Sequence, residues 1–149
     1  MADKDDLPDL YPKRKLLFGA RTPPERLRET GQRFMEAGRY DDALEFFQRA
    51  DAKELTRKVA RIAMETGNTP LYMRAKRVLR EATSEQEWTQ IARAAERAGL
   101  HSAAFLAHKQ AGHEEEAERL RRLIPGAAVP EPEEPVHAAD EADPDGGET

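Results

Sequence analysis

The chain has 149 residues, 36% of them charged and 38% hydrophobic, with ten Pro, nine Gly and no Cys. That length accommodates one domain with tails, and zero Cys excludes disulfides, thiolate metal sites and a catalytic thiol, in keeping with a reducing cytoplasm. The formal net charge of −5 divides unevenly: residues 21–124 hold twenty bases and seventeen acids, whereas residues 125–149 hold eight acids and neither Lys nor Arg. No apolar run approaches the roughly 20 residues of a membrane-spanning helix, and Met1-Ala2-Asp3-Lys4-Asp5-Asp6 does not read as a secretory signal. A cytoplasmic protein without membrane contact is expected.

In chain order, residues 1–21 carry Pro8 and Pro12 and one dense apolar group, Leu16-Leu17-Phe18, and read as an extended N-terminal arm. The stretch Lys13-Arg14-Lys15-Leu16-Leu17-Phe18 resembles a short basic localisation signal or a docking peptide; the favoured reading is an arm whose apolar residues cover the end of a helical stack. Thr22 followed by Pro23 and Pro24 marks a helix start. Helical periodicity then runs to about Ile124, broken by Gly38, Gly67, Gly99 and Gly112, where a left-handed cap favours glycine. Seven helices are predicted, at about 24–37, 40–51, 53–66, 70–82, 84–98, 101–111 and 113–124. The second carries Tyr40, Ala43, Leu44, Phe47 and Ala50, the stripe of a buried face, and the fourth repeats it with Leu71, Ala75, Val78, Leu79 and Ala82. No window shows the period-two alternation of a strand, so the class is all-α. Beyond Pro125, four further prolines and the acids predict a disordered acidic tail over 125–149.

Aligning the turn glycines exposes an internal repeat. Gly31 to Gly38, Ala60 to Gly67 and Ala92 to Gly99 superpose, each with a small residue seven places before the glycine, where two helix backbones can approach closely. On Leu27, Gly31, Phe34, Gly38, Tyr40, Ala43, Phe47 and Ala50, and again on Trp88, Ala92, Gly99, Ala104 and Ala111, the stretch 22–124 resembles the tetratricopeptide repeats. The resemblance implies a short right-handed α-solenoid of about three helix-turn-helix repeats, with residues 113–124 as a capping helix. The middle copy departs from the pattern: Gly67 precedes Asn68, Thr69 and Pro70, so its turn reads about three residues longer, and glycine spacings of 29 and 32 fall short of the family's 34. The helical hairpins of clathrin-like and coat proteins are the alternative on those grounds.

The resemblance further implies a peptide-binding groove lined by the first helix of each pair. Carried over, its partner-binding residues are Arg28, Gln32 and Met35, then Arg57, Arg61 and Met64, then Arg93 and Arg97, with Glu96 also facing the groove. An arginine ladder of this kind suits an acidic peptide, because the guanidinium fork matches a carboxylate. The family's clamp asparagines are absent. The competing reading of each Arg is a solvated helix face paired one turn away, as Glu54 with Arg57. Two further candidates meet at residues 53–80, where eight bases stand against Glu54 and Glu65: a nucleic-acid backbone, and the protein's own acidic tail. Tyr72 alone supplies an aromatic ring there and reads as packing. No catalytic constellation, cofactor or metal is expected: His101 and His108 share a face without an acid between them, and His113 lacks a second His four residues on. Trp88 and the stripe Tyr40, Phe46 and Phe47 read as core. The expected role is a non-enzymatic adaptor or regulator.

Overall fold

The computed structural model describes residues 7–8, 10–19 and 21–127, and every regular element among them is helical. The elements are α1 (Leu10–Phe18), α2 (Pro24–Glu36), α3 (Tyr40–Arg49), α4 (Lys53–Thr66), α5 (Thr69–Leu79), α6 (Glu85–Arg97), α7 (His101–Ala111) and α8 (Glu114–Arg121). The seven expected helices begin within one residue of their predicted starts. Two of them, α5 and α8, end three residues early. No helix among the described residues is long and apolar enough to cross a membrane. Most of the expected acidic tail, from residue 128 onward, lies outside the described residues.

One turn geometry recurs along the chain. A residue with φ between 52° and 78° (Gly38, Asp51, Gly67, Gly99, Gly112) precedes an N-cap with φ near −85° and ψ near 75° (Arg39, Ala52, Asn68, Leu100, His113). In all five the N-cap amide donates back to the carbonyl five residues earlier, as Arg39 to Phe34 and Asn68 to Ala63, at 2.9 Å. This bond satisfies a carbonyl that the helix end leaves open. The middle turn is therefore no longer than the others. Asn68 accepts from the Leu71 amide at 3.2 Å, and Pro70 sits in the first turn, where a missing N–H costs nothing. At the start of α2 the N-cap is Pro23 rather than Thr22, without a side-chain cap bond.

The helices pair as α2/α3, α4/α5 and α6/α7, and contacts also run from α3 to α5, from α4 to α6, from α5 to α7 and from α7 to α8. In the first pair the Phe34 and Phe46 rings stack at 5.3 Å. Gly31 lies so close to α3 that an added Cβ would stand 2.6 Å from the Phe47 ring. The equivalent Ala60 and Ala92 are buried as well. Between the second and third pairs the approach is closer still: a Cβ at Gly67 would meet the Ala95 backbone at 2.4 Å. Thr69, fully buried, donates from Oγ1 to the Ala103 carbonyl at 2.8 Å. Trp88 packs edge-on to Tyr72 at 6.1 Å.

The reading of residues 1–21 as an extended arm is corrected by α1. Pro12 falls within the first turn of this helix, which tolerates proline. Leu17 is buried at 4% exposure and Leu16 packs on the same core. The Lys13 ammonium reaches Asp42 and Glu45 of α3. Burial disfavours that charge, but the two carboxylates outweigh it and raise the Lys13 pKa. Of the basic run 13–15, the first cation is thus spent on holding α1 against α3.

Two glycine substitutions separate backbone conformation from close approach. Gly38→Ala, with nothing within 4 Å of the new methyl, should lose about 1 to 2 kcal/mol through the left-handed φ alone. Gly67→Ala, which drives the methyl into backbone, should lose about 3 kcal/mol or more. Chemical denaturation of the two variants beside the parent checks this, and equal losses would contradict the contact.

Candidate functional site

Burial of Thr56, Val59, Ala60 and Ala63 against the core turns the opposite side of α4 outward. Arg57, Arg61 and Met64 line a cleft of about 220 Å³ there, facing Tyr72, Lys76 and Leu79 of α5 and the carboxylates of Glu81 and Glu87. Three of the eight residues named from the sequence are thus gathered at one place. Arg28 and Gln32 on α2 are exposed and Met35 packs on the core; Arg93 and Arg97 on α6 are exposed. None of these five lines the cleft.

The cleft is charged on both sides. Arg57 donates from Nη1 to Glu54 at 2.7 Å and from Nη2 to Glu81 at 3.0 Å, so the pairing of Arg57 with Glu54 is present, together with a longer-range partner. Arg61 has no ion pair among the described residues. Lys76 lies 3.5 Å from Glu81 and 3.4 Å from Glu87. Glu87 closes the capping box of α6, accepting from the Ser84 amide while Ser84 accepts from its own. Burial, then the Glu87 charge, push the Tyr72 hydroxyl well above the usual phenol range. The interaction with the Tyr72 hydroxyl in turn helps to keep the Glu87 carboxyl below the ordinary glutamate range, against burial. Glu81 and Glu87 were not singled out in the sequence, although the Ser84-x-x-Glu87 spacing was a readable sign.

Across residues 53–80, Arg57, Lys76 and Arg74, which pairs with Asp41, have carboxylate partners. Lys53, Lys58, Arg61, Arg77 and Arg80 are exposed and have none among the described residues. Tyr72 is buried and offers no face to a base.

Glu96, placed in the groove by the resemblance, faces the other way. It accepts from Arg119 of α8 at 2.9 Å and from Nε2 of His108 at 2.7 Å. A carboxylate only accepts, so His108 donates through Nε2, which leaves its Nδ1 for a second contact. Nδ1 of His113 lies 3.2 Å from it, and Nε2 of His113 lies 3.8 Å from Glu85. This chain of contacts closes α6, α7 and α8 together at one end of the protein. His101 is not part of it. Among the described residues no group of three or more His, Asp or Glu is arranged to hold a metal ion.

A larger cleft of about 1100 Å³ lies between α1 and α2, with Lys15, Arg21, Arg26 and Arg33 against one acid, Glu29.

The hydrogen bond from His108, opposed by burial and aided by Arg119, holds the Glu96 carboxyl below its ordinary value of 4.5. A lowered carboxylate pKa contributes stability that is complete above the unfolded-state value and lost as pH falls through the folded-state value. Between about pH 5 and 3 the parent should therefore lose more stability than Glu96→Gln, whose curve loses this component. Denaturation midpoints across that range check it, and parallel curves would contradict the clasp. Comparisons of the chain with protein-family models, curated proteins and solved structures find no match.

Proposed function

We propose that the protein is a non-enzymatic interaction module of the tetratricopeptide kind, a short right-handed solenoid that binds an acidic or extended segment of another protein. The surface is the side of α2, α4 and α6 that bears Arg28, Gln32, Met35, Arg57, Arg61, Met64, Arg93 and Arg97. An adaptor or regulator in the cytoplasm is the role that follows. The observation that carries this reading is the cleft on α4, where Arg57, Arg61 and Lys76 converge beside the Met64 thioether. Guanidinium forks recognise carboxylates with directional bonds, and a flexible thioether adapts to varied apolar neighbours. The recurring turn supports the repeat aspect, since it joins α2 to α3, α3 to α4, α4 to α5, α6 to α7 and α7 to α8 by one backbone path.

The acidic segment 128–149 is a competing ligand in the same molecule. Attached beside the module, it acts at high effective concentration and weakens capture of an outside partner. A second reading, nucleic-acid binding, is favoured by the five exposed cations of residues 53–80 that have no carboxylate partner among the described residues. It predicts affinity that drops steeply with salt and varies little with sequence.

Affinity capture from the source lysate, with and without nuclease, decides between them. The full chain should retain a discrete protein after nuclease treatment. Arg57→Glu/Arg61→Glu should reduce that capture by about tenfold, in line with loss of charged hydrogen bonds, and a chain ending at residue 127 should capture more. Disappearance of all captured protein on nuclease treatment would instead favour the nucleic-acid reading.

A further inference from the structure

The α4 cleft already holds a carboxylate that belongs to neither of its helices. Glu81 lies in the link between α5 and α6, and its Oε1 takes an Arg57 N–H at 3.0 Å while Oε2 faces the Lys76 ammonium at 3.5 Å. Its backbone is placed by other bonds. Arg80 adopts φ 56° and ψ 35°, left-handed for a non-glycine residue, and the Glu81 amide donates to the Lys76 carbonyl at 3.1 Å. The chain reversal thus delivers Glu81 to the cleft mouth whether or not its side chain is paired.

The two sides of this contact differ in how easily they release. Lys76 is nearly enclosed, at 12% side-chain exposure, and keeps Glu87 as a second partner. Glu81 and Arg57 are 39% and 44% exposed, so the bond between them is open to water and to a competing anion. Arg57 divides its fork between two separate carboxylates, Glu54 and Glu81, so neither forms the two-pronged pairing that makes Arg–carboxylate contacts strong. Arg61, in the same cleft and without an ion pair among the described residues, is the first cation an approaching acidic chain would meet.

We propose that Glu81 is an internal substitute for a ligand carboxylate, so that an acidic peptide enters the α4 cleft by exchange, taking Arg57 and Lys76 as Glu81 leaves. The inference rests on the peptide-binding reading above and adds its regulation. The cleft is occupied at rest, weak or sparsely acidic chains are excluded, and a partner must carry carboxylates enough to meet Arg61 and displace Glu81 together. The Arg57 contact, though it is partly offset by burial, holds the Glu81 carboxyl below the ordinary glutamate range, so the substitute remains charged at neutral pH.

Fluorescence anisotropy with fluorescein-labelled hexaglutamate, titrated with the full-length protein, tests this. Glu81→Gln removes the competing charge but leaves the link backbone in place, and it should tighten binding by about two- to fivefold, the range that exposed ion pairs span. Glu65→Gln on α4 makes the same change in net charge without touching Arg57, and it should leave affinity nearly unchanged. Arg57→Gln should weaken binding in either background. Equal tightening by Glu81→Gln and Glu65→Gln would reduce the effect to general charge and overturn the exchange. Unchanged affinity in Glu81→Gln, with binding still lost in Arg57→Gln, would overturn the exchange and leave the peptide-binding reading standing. Absence of binding by the parent and by Glu81→Gln alike would overturn both.

Discussion

The backbone of the turn at Gly67 rests on the backbone of α6, and the placement of everything C-terminal to it follows. Two segments of backbone meet there at a distance that leaves no room for a methyl group, Ala94 and Ala95 supplying the facing atoms. The same turn supplies Thr69, whose hydroxyl ties it to α7 through the Ala103 carbonyl. One turn of the second hairpin thus seats both helices of the third. Because the C-terminal half of α6 lies at that turn, the α5–α6 link has to cross at the opposite end of the pair. There it sets Glu81 over Arg57 and Lys76 and brings Glu87 to Tyr72. The cleft on α4 runs from Arg57, under this link, to Met64, three residues before Gly67.

The two ends of the protein are held differently from its middle. The first hairpin buries Phe34, Phe46 and Phe47, and the second Val59, Leu71 and Tyr72, whereas the third buries mostly alanine. At roughly 25 cal/mol per Å² of apolar surface, small side chains supply little driving force, and the third hairpin adds directional bonds. Glu96 takes His108 and Arg119, joining three helices through one carboxylate. At the other end Lys13 bridges Asp42 and Glu45, and Arg39, which pairs with Asp42, lies over the Phe34 ring. For Asp42 burial acts to raise the pKa, and the Lys13 and Arg39 charges overcome it. Both clasps are partly sheltered from water, so they are less screened than pairs on an open helix face.

What was legible in the sequence was local. Helix starts could be read because four of the six left-handed residues between helices α2 to α8 are glycine, and Gly31, Ala60 and Ala92 announced close approach through their size. The helix α1 was hidden by Pro12, which marks a break in most settings and only in a first turn permits a helix. The turn after Gly67 looked long because Asn68, Thr69 and Pro70 carry turn chemistry, yet they cap and begin a helix. The partners of the charged residues were illegible, since Arg57 with Glu81, Glu96 with Arg119 and Arg74 with Asp41 lie more than twenty residues apart. A carried-over pattern put Glu96 in a groove because it counts positions along one helix and takes no account of what the following helices bring to its other side.

The uniformity of the turns bears on how such a chain can change its length. Each places its left-handed residue and its following cap on nearly the same dihedral angles, and each returns the same backbone bond at 2.9 Å. Entry and exit directions therefore match among those five joints, and the α5–α6 link, left-handed at Arg80 and extended at Ser84, is the exception. A segment cut between two joints leaves ends that already fit, and a copied segment finds a joint of the right shape on either side. Where a hairpin is added at a joint of the Asp51 kind, the new seam inherits the backbone path of the old one, so the reach of the exposed face can be altered while the angle between those two helices is kept.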